Sequence, residues 1–288
     1  VPHDPLIYRH FTHADIPAAH RLSVAVGWPH RLEDWSFVAQ AGSGFVAIDG
    51  DAVVGTILNW KFGSASASLG MVIVAPDHQG LGIGRQLMLL VLDELGPRTT
   101  FLHATREGQP LYEKLGFAAM QNATDQHQGT AFRAPVMPLP PGERLRPIGA
   151  SDTLRLVELA SRASGLDRSM LLPTLLASAD GIALDLDGEL LGFALFRRFG
   201  RGYAIGPVVV MDSPGGVRAR ALISYWLALN EGTFVRIDVG TEHGLTGWLE
   251  GLGLAKVDTV TRMVRKGPAP TPVDPALRQI AIINQALQ

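Results

Sequence analysis

Cysteine is absent from the 288 residues. That excludes disulfides, thiolate nucleophiles and cysteine-held zinc or iron–sulfur centres. Charge is scarce as well, at 18% of residues, and nearly balanced: 25 Lys and Arg against 27 Asp and Glu leave a net charge of −2. Such a balance lacks the basic footprint that nucleic acid or an anionic membrane attracts. No run approaches the ~20 consecutive apolar residues of a membrane span. The N-terminus has no basic-then-apolar leader pattern. No nucleic acid and no membrane partner are therefore expected, and a cytoplasmic protein is the default. Lysine is rare, since arginine supplies 21 of the 25 basic residues, which reflects genome composition more than function. Eight of the nine histidines precede residue 130, but they are scattered. Without H-E-x-x-H or comparable spacing, no metal site is predicted.

What is present is repetition. The length suggests two domains at roughly 150 residues each, and four prolines in Ala134–Gly142 mark a semi-rigid break. Across it the sequence repeats at an offset of 137: Arg9 and Asp15 with Arg146 and Asp152, Gly55 with Gly192, Leu115-Gly116-Phe117 with Leu252-Gly253-Leu254. Several matches at one offset predict a duplicated domain. The expected boundaries are 1–134, a linker over 135–142, a second domain over 143–267, and a tail over 268–288 whose residues Pro275–Leu287 form a docking helix. Each half reads as strand, helices, a hairpin of strands, helix, strand, short helix and a terminal hairpin. The fold class is mixed α/β, a largely antiparallel sheet flanked by helices.

The chemical signal is concentrated in Val72–Arg85 (VIVAPDHQGLGIGR). A strand runs into a glycine-rich turn that opens an apolar-striped helix. Backbone N–H groups there, with the helix dipole, make a cradle for phosphate. Gly84-Arg85-Gln86 lacks the Lys-Ser/Thr of a P-loop. The dinucleotide pattern G-x-G-x-x-G fails from both Gly80 and Gly82. Gln79, Gly82 and Gly84 instead fit Q/R-x-x-G-x-G/A, which resembles the pyrophosphate loop of the GNAT acetyltransferase superfamily. Downstream, Leu111-Tyr112-Glu113-Lys114-Leu115-Gly116-Phe117 is similar to the short helix and turn of that superfamily. Thr105 and Gly108 stand where Asn and Ala are common. The tandem form, with Gly27–Trp35 (GWPHRLEDW), also resembles bacterial GNAT proteins that carry an additional C-terminal GNAT-like domain.

The resemblance implies acetyl-CoA as co-substrate. It would be held by Gln79, Gly80, Leu81, Gly82, Ile83, Gly84 and Arg85 at the pyrophosphate, and by Val72 and Val74 along the pantetheine arm. It implies Tyr112 as proton donor to the departing thiolate, with the reaction an N-acetyl transfer to an amine. A non-catalytic acyl-CoA sensor or scaffold, and an acyltransferase with a longer acyl group or a hydroxyl acceptor, are the alternatives. His103, on the strand beside the acyl position, is a candidate base, as is a water chain. For a small-molecule or peptide amine, Trp28, His30, Arg31 and Trp35 are the expected acceptor residues on one side. Tyr203, Asp238 and His243 are their counterparts on the other. Oligomeric state stays open. In the second half, Val210–Arg220 replaces the glycine loop with Asp212, Pro214, Arg218 and Ala219, and Leu249 stands at the position of Tyr112. A domain without CoA chemistry is expected there, kept for shape.

Overall fold

The computed structural model describes residues 5–132, 134–268 and 270–288; positions 1–4 and 133 of the expected first domain and 269 of the tail lie outside it. The first half runs β1 (Ile7–His10), α1 (Ile16–Ala25), α2 (Leu32–Ala41), β2 (Ser43–Asp49), β3 (Ala52–Phe62) and β4 (Ser66–Val74). It continues with α3 (Ile83–Leu95), β5 (Thr99–Ala104), α4 (Gln109–Lys114), β6 (Ala118–Ala119) and β7 (Thr124–Thr130). The second half runs β8 (Glu143–Pro147), α5 (Thr153–Ser164), α6 (Leu171–Leu176), β9 (Asp180–Leu186), β10 (Glu189–Phe199) and β11 (Gly202–Met211). After it come α7 (Val217–Leu229), β12 (Phe234–Gly240), α8 (Thr246–Gly251), β13 (Ala255–Arg265) and β14 (Leu277–Ala281). Several elements recur at the sequence offset of 137, among them β2 with β9, β3 with β10 and α4 with α8. Even the ion pairs repeat: Arg9 forks onto Asp15 at 2.7 and 2.8 Å, and Arg146 onto Asp152 at 2.8 and 2.9 Å.

Local chemistry accounts for most elements. Asp187 and Gly188 sit at φ +51° and +88°, the double positive φ that a tight two-residue hairpin between β9 and β10 requires. In α3, Ile83, Leu87, Val91 and Leu95 fall on one stripe and are buried against β3. The helix can lie close because Gly55 faces it, where a Cβ would stand 3.0 Å from Ile83 and Leu87.

The thirteen-strand order β1-β2-β3-β4-β5-β13-β7-β12-β14-β11-β10-β9-β8 crosses both halves in one sheet, with β6 on β13. The expected terminal hairpins do not form. β7, from the first half, pairs with β12 and β13 of the second, and β13 lies between β5 and β7. The halves thus exchange their last long strands. Such pairings are non-local and leave no turn signature in the sequence.

The tail is the second correction. Leu277–Ala281 is a strand, not a helix. Ile280 suits a pleated, half-buried surface, and tertiary context decides. β11 and β12 run parallel only over Tyr203–Ile205 and Val235–Ile237 before they part, and β14 fills the gap, pairing Val208–Met211 of β11. Beyond β14 the chain crosses to the first half. Among the described residues no helix is long and apolar enough to cross a membrane.

Candidate functional site

In the first half the equivalent gap stays open. β4 and β5 run parallel only over Ser66–Ser68 and Thr99–Phe101. Beyond that they part around a cleft of about 850 Å³, within the range of small-molecule sites. β4 is also bulged. Thr56 pairs with Ile73 and Leu58 with Gly70, which leaves Met71 and Val72 out of register. Met71 adopts φ +54°, and its carbonyl accepts a 2.9 Å hydrogen bond from the buried Thr56 hydroxyl. A bulge re-aims backbone groups that a regular ladder would consume, here at the cleft edge. Gly70, isolated within an apolar strand, is the kind of residue that marks such a bulge, and sequence reading passed over it.

At one end lies the glycine turn. Gly80 and Gly82 sit at φ +79° and +80°, in the left-handed region, and Gly82 caps α3. Among the described residues the N–H groups of Gly80, Leu81 and Gly82 donate to no protein acceptor. Val72, Val74, Gln79, Gly80, Gly82, Ile83, Gly84 and Arg85 all line the cleft, while Leu81 projects to solvent and does not. A Cβ on Gly84 would meet only Leu111 and Val74 at an ordinary 3.7 Å. Gly84→Leu is therefore expected to keep or raise the melting temperature, since glycine in a helix costs up to ~1 kcal/mol. The side chain would nevertheless stand in the mouth of the cradle. We expect acetyl-CoA affinity, read by calorimetry, to fall about fivefold or more through lost contacts with the anion; unchanged affinity counts against the cradle.

Tyr112 lines the same cleft at 8% exposure, edge-on to Phe117 at 6.2 Å. Burial pushes its phenol up to about 12, so it stays protonated. Its ring fills the space above Gly108, where a Cβ would come 3.0 Å from Cε2 and 3.3 Å from the hydroxyl. The departure at Gly108 thus has a packing consequence.

His103 also lines the cleft, but both ring nitrogens are engaged. Nδ1 lies 2.8 Å from the Gln285 carbonyl, which can only accept, so Nδ1 carries the hydrogen. Nε2 then accepts from the Thr124 hydroxyl at 2.9 Å. Burial lowers this histidine to about 4, and the ring is neutral. His103 therefore ties the tail to β7, and both lone positions are spent.

The proposed acceptor residues divide. Trp28 and His30 line the cleft, their rings 5.5 Å apart. Trp35 does not. It is fully buried in the core, its indole donating to Ser23 Oγ at 3.0 Å. Its place on the inward face of α2 makes it a packing residue. Arg31 is likewise outside the cleft, forked on Asp34 and reaching the Arg198 carbonyl at 3.3 Å, so it braces the two halves. Tyr203 stacks on Phe196 at 4.7 Å and His243 bonds the Gln279 carbonyl at 3.0 Å; neither lines the cleft. Asp238 sits just behind it, paired with the cleft residue Arg236 at 2.7 Å. Sequence reasoning missed Phe199, Arg236 and the tail residues Asn284–Ala286, which complete the wall.

The equivalent turn of the second half is mostly spent on itself, the Gly215 N–H alone among those of Gly215, Gly216 and Arg218 lacking an acceptor in the described residues. Ser213 Oγ accepts from the Arg218 N–H at 3.2 Å, and its carbonyl from Gly216 at 2.9 Å. The Arg218 guanidinium bonds Glu143 and the carbonyls of Met211 and Asp212. Leu249 is core, and β14 occupies the gap between strands.

Comparison with known proteins agrees with this geometry. Two acetyltransferase (GNAT) domain models match, one over residues 40–119 and one over 156–276. The chain is 30% identical over 246 residues to the N-acetyltransferase YitH of Bacillus subtilis strain 168, described as uncharacterized, covering 83% of each. Among solved structures, a Pyrococcus horikoshii protein assigned as an acetyltransferase superposes with a TM-score of 0.76 at 21% identity, covering 100% of this chain and 98% of that one. A tandem GNAT protein from the clavulanic acid biosynthesis pathway gives 0.65 at 16% identity, over 92% of this chain and 99% of that one.

Proposed function

The chain belongs to the GNAT N-acetyltransferase family in its tandem form, and from that premise we propose that its first half transfers acetyl from acetyl-CoA directly to an amine. The observation that carries this reading is one cleft holding both an N–H cradle with unspent donors and a protonated, cleft-facing Tyr112. Gln79–Arg85 would take the pyrophosphate, and the bulged edge at Val72–Val74 the amide-bearing arm. The amine attacks the thioester carbonyl, the C–N bond forms and the C–S bond breaks. The ammonium proton is lost to solvent. The departing thiolate is stabilised by a hydrogen bond from the Tyr112 hydroxyl, and any proton that passes from the phenol to sulfur is replaced from solvent, so Tyr112 ends neutral.

Magnitudes choose the route of the first proton. An alkylammonium near 10.4 that hands its proton to a group near 4, such as His30 or His103, does so at about 8–9 kcal/mol. Releasing it to water at pH 7 costs about 4–5 kcal/mol. We therefore assign amine deprotonation to solvent in the open cleft, and give His103 a positioning role. The test of the reading is thiol release from acetyl-CoA across a panel of amines; acetyl-CoA binding without release would favour a sensor.

The second half, with its turn mostly bonded to itself and its gap filled by β14, has no room in this reading for a second cofactor. Calorimetric titration is expected to return one equivalent of acetyl-CoA per chain. Two would overturn the assignment of the second half to shape alone.

A further inference from the structure

The cleft's far end is built where the halves meet, around Phe199, the last residue of β10. His30 stands edge-on to its ring at 5.3 Å. The guanidiniums of Arg197 and Arg236 lie 5.1 and 5.4 Å from its centroid. Resting on the acyl-transfer reading above, we propose that the acceptor is a small amine bearing an oxyanionic group, carboxylate or phosphate, which docks on the outer edge of Arg236 beside His30 and Phe199.

Three observations converge on this. The first is a guanidinium with an unused edge. Asp238 takes Nε at 2.9 Å and Nη2 at 2.7 Å, and Nη1 has no partner among the described residues. A guanidinium presents five N–H donors in a fixed fork that matches carboxylate and phosphate oxygens.

The second is a charge count. Arg31, Arg197 and Arg236 surround this end, against the buried carboxylates Asp34 and Asp238. Asp34 is held by Arg31 and Asp238 by Arg236, so Arg197 is left over. It is 7% exposed, bonds the Ile283 carbonyl at 3.2 Å, and its buried Nε has no partner. One positive charge thus lies uncompensated in a low-dielectric region, where an anion is worth most. Glu33 and Asp258, both exposed, are screened by solvent and do not cancel it. Arg197, Phe199, Arg236 and Asn284 share a side cavity of about 10 Å³ behind the cleft wall.

The third is an orphaned polar atom. His30 is half-buried and lines the cleft beside Phe199, and its Nδ1, the shielded atom of the ring, has no hydrogen-bond partner among the described residues. Buried polar atoms are nearly always satisfied, so this ring has a reason to turn when a hydrogen-bonding ligand enters the cleft it lines. A brace between the halves would explain Arg31, which bonds across them. It does not explain an open guanidinium edge and an incompletely bonded imidazole among the residues that line one cleft.

The experiment is thiol release with matched acceptors: each common amino acid against its amide, and phosphoethanolamine against ethanolamine. An amino-acid amide has the more acidic ammonium and so more free amine at neutral pH, so intrinsic reactivity favours the neutral member. A preference of about tenfold or more in kcat/KM for the anionic member, the size of one charged hydrogen bond, supports the proposal, and the pair showing it identifies carboxylate or phosphate. The double variant Arg236→Gln/Asp238→Asn removes both charges while keeping a hydrogen-bonding pair. Its preference is expected to fall below about threefold with acetyl-CoA affinity retained. Should it fail to fold, Arg236→Lys, which keeps the charge but loses the fork, is expected to show a reduced preference. Equal or better turnover of the neutral members overturns the proposal and leaves acetyl transfer standing, as does a preference that survives the double variant. Acetyl-CoA binding with no release for any amine overturns both.

Discussion

Tyr112→Phe is expected to lower kcat about 10- to 100-fold while acetyl-CoA affinity stays within about twofold. A hydrogen bond to a charged group is worth about 1.5–3 kcal/mol, and each 1.36 kcal/mol is tenfold in rate. The departing sulfur acquires negative charge only as the C–S bond breaks. The bond from the phenol therefore strengthens in the transition state and shows in kcat rather than in binding. An ordinary thiol sits near 8.5, well below the phenol at about 12. In the proposed reaction Tyr112 would therefore stabilise the sulfur while keeping its own proton at rest. Stability should barely change, because among the described residues the hydroxyl has no protein partner to orphan, and the ring's contact with Phe117 persists. Steady-state kinetics beside a calorimetric titration separates the possibilities. Full retained turnover would sink the donor role, and equal losses in rate and affinity would make Tyr112 a binding residue.

The residues that sequence reading brought to the cleft are those whose position follows from local chain geometry. A strand, a turn with glycines at positive φ and an apolar-striped helix are short-range features, so Val72–Arg85 was legible. So was Tyr112, one turn into a short helix. The duplication was visible because loops and caps recur at a constant offset, down to the Arg9–Asp15 and Arg146–Asp152 pairs. What failed was non-local. Composition does not distinguish Trp28, in the loop after Gly27, from Trp35, whose side of α2 faces the core. The exchange of β7 and β13 is set by which edges the two sheets leave open, and no turn marks it. The tail's apolar residues fit a helix as well as a strand until the gap between β11 and β12 is known. That same gap supplies a structural reason for the proposal that the second half binds no cofactor. Between β4 and β5 it is a cleft; between β11 and β12 it is filled.

The tail matters to the site, and Arg168 is what fastens it. Arg168 is 2% exposed, on the loop between α5 and α6, and stacks over Phe62 of β3 at 5.2 Å. Its Nη1 donates to the Leu287 carbonyl at 2.8 Å, and its Nη2 to the Gln288 carbonyl at 3.1 Å and to Gln279 Oε1 at 3.3 Å. Burial lowers the guanidinium to about 10, which leaves it charged at neutral pH. Just upstream, Ser68 bonds the Ala286 carbonyl at 2.7 Å, and Ala286 packs over Gly70 beside the bulge. Arg168→Ala strips the buried Leu287 carbonyl of its donor, at about 1–3 kcal/mol, leaves the part-buried Gln288 carbonyl with only the Ile283 N–H, and opens a cavity, partly offset by release of a desolvated charge. The expected net is about 2–5 kcal/mol, a fall in Tm of roughly 5–15 °C for a chain of this size. Because Asn284–Ala286 form cleft wall, amide exchange at those residues should accelerate. The KM for the amine should rise even well below the melting temperature. Arg168→Lys, which keeps the charge but loses the fork, should recover part of the stability. A Tm within about 2 °C of wild type, with unaltered exchange in the tail, would mean that the segment is held by Ser68, His103 and its own packing, and that Arg168 is not its anchor.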